Sequence, residues 1–244
     1  MHSNGYTFRF AAIVTIVCSV LLAGAATILK PLQEENERVD VQKNILASVG
    51  IVPEEGQSFS KDKISELYQT NIKELVVDTE GRLVEGKKPS DLEAGVDTGQ
   101  MPLYEYILDG EIQAYVFPVS GKGLWSTIYG YIALDVDAET VRGITFYKHG
   151  ETPGLGGEVE KEWFTDNFKG KRIFDENGNL VSITVVKGKV EGTVPESEAW
   201  HYVDGISGST LTARGVTNFL KSDLKKYEPF LREIRKSGEG DING

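Results

Sequence analysis

LYEYILDGEIQAYVFPVSGKGLWSTIYGYIALDVDAETVRGITFY, residues 103 to 147, is the stretch from which the fold of this 244-residue chain is read. Residues 103–108, 112–119, 128–134 and 142–147 are short runs rich in β-branched and aromatic side chains, the composition of half-buried strands. Asp109-Gly110, between the first two, is a two-residue hairpin signal. Two further strand candidates lie outside the stretch, at 72–79 and at 180–186, the second preceded by the turn signal Glu176-Asn177-Gly178-Asn179. A mixed, largely antiparallel sheet is predicted. On either side of it the period changes to helical. Residues 31–50 carry an apolar stripe of Val39, Ile45, Leu46 and Val49 closed by Gly50, and Ser60 can cap a helix that presents Ile64, Leu67 and Tyr68. Residues 158–168 and 211–231 are helical as well, Val216, Phe219, Leu220 and Leu224 sharing a face in the latter. Strands in the middle with helices at both ends indicate an α+β domain.

N-terminal to that domain, residues 10–29 hold no charge and are flanked by Arg9 and Lys30. At about 1.5 Å per residue such a helix spans roughly 30 Å, the thickness of a bilayer core. A cleaved signal peptide is the rival reading, because Ala23-Gly24-Ala25 offers a small-x-small site. Both readings leave the basic end inside and the bulk of the chain outside.

Composition removes several function classes. With a formal charge of −11 and basic clusters broken by acids, the chain has no stripe for nucleic acid. Cys18 is the one cysteine, so the chain can close no disulfide by itself and cannot supply the thiolates of an iron–sulfur cluster or a structural zinc. His149 and Glu151 form the H-x-E opening of a zinc deaminase without the required cysteines, and only three histidines are present. No metal site is expected, and redox chemistry would need an organic cofactor.

Three glycine-rich segments could carry that chemistry. In 150–157, GETPGLGG, the third glycine of a dinucleotide loop is replaced by Val159 and no βαβ frame surrounds it, which leaves a turn-rich loop whose free amides could line a ligand site. In 121–127, GKGLWST, Trp125 either packs in a hairpin loop or stacks beside a flat cofactor. In 203–212, VDGISGSTLT, four hydroxyls and several amides stand at the start of a helix, where the dipole favours a bound phosphate. Arg214, about one turn in, could complement that charge. A serine-hydrolase reading of Ser207 or Ser209 fails for want of the second glycine of G-x-S-x-G, so no catalytic residue is assigned.

Asp204, Ser207, Gly208, Ser209 and Thr210 match D-x-x-[ST]-G-[AS]-[ST], the pattern that flavin transferases recognise when they attach FMN through a phosphodiester to the last hydroxyl; Ser209 stands where alanine is more usual. Together with LKPLQEENERVDVQKNILASVGI, GKGLWSTIYGYIAL and HGETPGLGGEVEKEWF, the motif resembles the C-subunit family of the sodium-translocating NADH:quinone reductase over most of the domain. The related G subunit of the Rnf complex shares the anchor, ETPGLG and the flavinylation motif, but GLWSTIYGYIAL and the LKPLQEEN opening favour the C-subunit family. The resemblance implies an uncleaved anchor and divides the chain into a cytoplasmic N-terminus (1–9), a transmembrane helix (10–29), the first part of a periplasmic domain (30–100), an FMN-binding domain (101–235) and a disordered tail (236–244). It implies covalent FMN on Thr210, with Ser207, Gly208 and Leu211 around the phosphate, Thr152, Leu155 and Gly156 at the ring, and Trp125 as a further stacking candidate. Asp204 is expected to serve the transferase. A six-subunit bacterial inner-membrane complex, with partners A, B, D, E and F, would move sodium and exchange electrons with this relay. A membrane-anchored binding or assembly module without flavin is the reading from a different class.

Overall fold

The computed structural model describes residues 4–93, 96 and 98–241. Residues 1–41 and 42–244 form two compact units. The described residues of the first, 4–41, lie within helix α1 (Asn4–Ser48), the one helix among the described residues long and apolar enough to cross a membrane. Its apolar side chains, from Phe10, Ile13 and Ile16 to Leu21, Leu22 and Ile28, are exposed all round, as in a membrane span rather than an amphipathic surface helix. The helix expected over 31–50 is the continuation of α1 out of the apolar segment. Pro31 sits inside it, since one proline removes a single bond, to the carbonyl of Thr27, and the following turns carry good helix formers. The helix ends where the sequence places its stop: Gly50 takes φ +91°, its amide reaches Ala47 O (3.0 Å), and Ile51 N reaches Leu46 O (2.9 Å), a Schellman closure.

In the second unit, helix α2 (Lys61–Asn71) starts where Ser60 Oγ accepts from Lys63 N at 3.2 Å and buries Ile64 and Tyr68. Five antiparallel strands follow in the simplest order: β1 (Ile72–Asp78), β2 (Gln100–Leu108), β3 (Glu111–Lys122), β4 (Thr127–Asp135) and β5 (Val141–Lys148). Asp109 (φ 54°) and Gly110 (φ 85°) both adopt positive φ, as the tightest hairpin turn between β2 and β3 demands. Side chains alternate across this sheet. Leu103, Phe117, Val119, Ile128, Ile132, Ile144 and Phe146 face one core with the last helix, α4 (Thr210–Asp241). The opposite face carries Tyr104, Tyr131 and Tyr147, the last two stacked with centroids 5.4 Å apart, beside Tyr68, whose hydroxyl donates to Glu74 at 2.9 Å. The end of α1 also packs on this face, where Thr145 Oγ1 donates to Asn44 O at 3.2 Å.

Three expectations are corrected. The strand predicted at 180–186 shrinks to β6 (Thr184–Val185), paired in parallel with β7 (Tyr202–Val203), because Ser182 takes φ +65° and breaks the extended run. The helix predicted at 158–168 is a 3-10 turn (Gly156–Glu160), a single α turn α3 (Glu162–Thr165) and a second 3-10 turn (Asp166–Phe168), with Lys161 extended at the first break. Val159, Phe164 and Phe168 are all buried, so packing sets this path against local propensity. Finally, α4 runs ten residues beyond Leu231, to Asp241. Arg232 pairs with Glu228 one turn back at 2.6 Å, and Glu233, Ile234, Arg235 and Lys236 continue the helix-favouring run, whereas Gly238 and Gly240 at its end do not. Residues 242–244 of the C-terminal tail, and 1–3 of the N-terminus, lie outside the described residues.

Candidate functional site

The carboxylate of Glu151 gathers the three glycine-rich segments into one place. Oε1 accepts from the amides of Trp125 (2.9 Å) and Ser126 (3.1 Å), and Oε2 from Leu124 N (3.1 Å) and Thr212 Oγ1 (2.7 Å). The β3–β4 loop, the loop after β5 and the first turn of α4 therefore share a single buried acceptor. Ser126 Oγ adds a second tie between the first two by accepting from Gly150 N at 2.6 Å. Glycine at two positions is what lets the carboxylate in: a Cβ on Gly123 would stand 2.7 Å from Oε1, and one on Gly156 2.7 Å from Thr212 Oγ1 and 2.8 Å from Oε2. Burial alone would raise the Glu151 pKa, but the Thr212 hydroxyl and the three amides outweigh it and hold the group below its ordinary value.

The hydroxyl-rich motif forms a turn, Ser209 N to Ile206 O at 3.1 Å, with Gly208 at φ +74°. α4 then begins at Thr210, and Ser209 O accepts from Ala213 N at 3.0 Å, the first bond of the helix. By helical geometry the first-turn amides, of Thr210, Leu211 and Thr212, have no carbonyl within the helix to bond. Ser207, Gly208, Thr210 and Leu211 are exposed, whereas Ser209 is 4% exposed and its Oγ is buried without a partner. Leu155, 43% exposed, reaches over the turn: its Cδ2 lies 2.9 Å from where a Gly208 Cβ would be. Thr152 is exposed at the mouth of the same loop, its carbonyl accepting from Leu155 N (3.1 Å) and Gly157 N (2.9 Å). Thus residues 152–156 and 207–211 meet as one surface, apolar at Leu155 and Leu211 and electropositive at the helix end.

Trp125 shares Glu151 through its backbone while the residue is 71% exposed, so the ring is not packed into the hairpin loop. Asp204 is engaged elsewhere. Its carboxylate accepts from Lys189 Nζ (2.6 Å) and Val190 N (2.9 Å), contacts that hold it below its ordinary value although burial opposes them. The sequence assigns no site role to Glu151, Thr212 or Lys189. Glu151 is the second residue of the glycine-rich segment 150–157, but its partners lie 25 to 61 residues away and no local pattern announces them.

These groups fit a phosphate ester: an exposed hydroxyl at the start of a long helix, amides with no helical acceptor, and an orphaned buried hydroxyl beside them. The nearby apolar side chains fit a flat aromatic ring. Among the described residues no group of three or more His, Cys, Asp or Glu could hold a metal ion.

Residues 123–225 match the FMN-binding domain family. The chain is 38% identical to the C subunit of a Na(+)-translocating NADH-quinone reductase from Pseudomonas aeruginosa, across 96% of this chain and 97% of that protein, and 34% identical to its counterpart from Yersinia pestis, across 96% and 94%. A solved structure of the C subunit of such a reductase from Parabacteroides distasonis superposes with a TM-score of 0.71 at 36% identity, covering 83% of this chain and 96% of that one.

Proposed function

Because the chain belongs to the C-subunit family of the Na(+)-translocating NADH-quinone reductases, we propose that it is a membrane-anchored electron-transfer subunit carrying FMN through a phosphodiester on Thr210. The observation that carries this reading is the contrast between neighbouring hydroxyls: Thr210 is exposed at the first position of α4, and Ser209 is buried. Only the former is open to another protein's active site, which is what a flavin transferase needs of its acceptor.

FMN bound there supplies reversible electron transfer. The chain's part is to hold and orient it. The positive end of α4 and the amides of its first turn complement the phosphate, with Ser207, Gly208 and Leu211 alongside. Thr152, Leu155 and Gly156 seat the ring, and Trp125 offers an exposed indole to cover it. Asp204 belongs to the pattern that the transferase reads, and it also ties the 189–190 segment to the start of the acceptor turn. The span over 10–29 anchors the domain in the bacterial inner membrane with the N-terminus in the cytoplasm and the FMN domain, residues 101–235, in the periplasm. The A, B, D, E and F partners provide the donor, the acceptor and the sodium path, since one uncharged helix offers no route for an ion.

Co-expression with a flavin transferase, followed by intact mass and peptide mapping, tests the proposal. An FMN adduct on the peptide containing Thr210 is expected, and its fluorescence should persist in a denaturing gel and vanish in Thr210→Ala. An unmodified chain, or an adduct elsewhere, sinks the reading and leaves a membrane-anchored binding module.

A further inference from the structure

Glu151 is the one buried carboxylate in the site, and neither the attachment of FMN nor the seating of its ring makes use of it. Its four hydrogen bonds come from one loop and one helix that lie far from it along the chain. We propose that Glu151 is the positioning residue of the FMN site: it fixes the ring-side loops against the attachment helix and keeps a constant negative charge behind them.

The chemistry of the site supports this. Each oxygen serves two donors, and both donor pairs are fixed by backbone or helix geometry. A glutamine of the same shape cannot replace it in full, because whichever way the amide turns its NH2 faces at least one backbone N–H that can only donate. Gly123 and Gly156 leave room for this carboxylate and for little else, so the residues around it are built to its shape. The group stays ionised because its donors outweigh the cost of burial. A fixed anion close to a flavin opposes the negative charge that reduction adds, so removing it should make the flavin easier to reduce.

The inference rests on the reading of Thr210 as the flavin attachment point, and the experiment separates the two. Full-length wild type, Glu151→Gln, Glu151→Asp and the milder Thr212→Val are made with a flavin transferase, and the same variants are made flavin-free in a Thr210→Ala background. In the flavin-free proteins, hydrogen exchange of the amides at 124–126 should quicken about tenfold or more in Glu151→Gln, where at least one of them loses its acceptor, and less in Thr212→Val, which loosens the carboxylate but leaves it as their acceptor. In the loaded proteins, Glu151→Gln should shift the midpoint potential upward and weaken the visible circular dichroism of the flavin, with Glu151→Asp restoring the potential towards wild type. Thr212→Val keeps the charge and should leave the potential in place. Unchanged exchange and unchanged potential in Glu151→Gln overturn the proposal, as does an equal potential shift in Thr212→Val, which would mark the effect as loosening alone. Should Glu151→Gln not fold, Thr212→Val decides: wild-type exchange at 124–126 then rejects the role. A wild-type chain without flavin on Thr210 defeats the attachment reading and leaves the exchange measurement standing as a test of the loop tie.

Discussion

A carboxylate removed from water stays charged only where donors replace its hydration, and Glu151 and Asp204 are two such cases with different neighbours. Glu151 is met by three amides and a hydroxyl; Asp204 by the Lys189 ammonium and one amide. Both are held below their ordinary values against the opposing pull of burial. A carboxylate with a depressed folded pKa contributes stability that is complete above its unfolded value, about 4, and is lost as pH falls through the depressed one. Denaturant midpoints should therefore drop as pH is lowered from about 6 to about 3. Asp204→Asn should be less stable than wild type at the upper end and converge on it at the lower. Parallel curves for the two proteins would contradict the assignment. Lys189 is largely exposed, so solvent weakens that pair and the Val190 amide is the more durable of the two contacts.

Among the elements, α4 sets the site by how closely it lies on β3. Gly121 and Gly215 permit this approach: a Cβ on the first would run into the Phe219 side chain, and one on the second into the Lys122 carbonyl. Alanine ordinarily stabilises a helix by about 1 kcal/mol over glycine. At Gly215 the sign should reverse, with Gly215→Ala costing about 1–3 kcal/mol in urea denaturation because backbone must move to admit the methyl. A stabilised variant would show that α4 has slack against the strand. The same elements explain what could be read in advance. β1 to β5 were legible because runs of β-branched and aromatic residues and the Asp109-Gly110 turn are local signals. Residues 158–168 and 180–186 were not, since there Val159, Phe164, Phe168 and Ile183 are pulled into the core along an irregular path that no period encodes. The site divides in the same way. The hydroxyl motif at the start of α4 is a contiguous pattern, whereas the Glu151 junction exists only once segments far apart in the chain have met.

At the scale of the molecule, the exposed apolar surface is concentrated in the first unit, and the second has its own core of Phe117, Phe164, Phe168 and Phe174 with both faces of the sheet covered. A chain beginning near residue 34 should therefore be soluble without detergent and unfold cooperatively, while the complete chain partitions into detergent micelles. Thermal unfolding and light scattering of the two forms check this, and aggregation of the shorter one would mean that the first unit shields part of the domain. The strand order β1-β2-β3-β4-β5 pairs only sequence neighbours, and apart from the longer connection over 79–99 the strands are joined by short loops, which keeps most of the sheet's contacts local. α4 follows the sheet in the chain, and its first turn meets the sheet's loops where Thr212 Oγ1 donates to Glu151. If FMN is attached as proposed, the acceptor surface requires the whole sheet and the docked start of α4, since Thr210 and Thr212 lie on a helix that follows β1 to β5 in the chain. On that proposal, flavin loading would report that the sheet and α4 have come together, because a chain lacking either would not present the turn that holds Thr210.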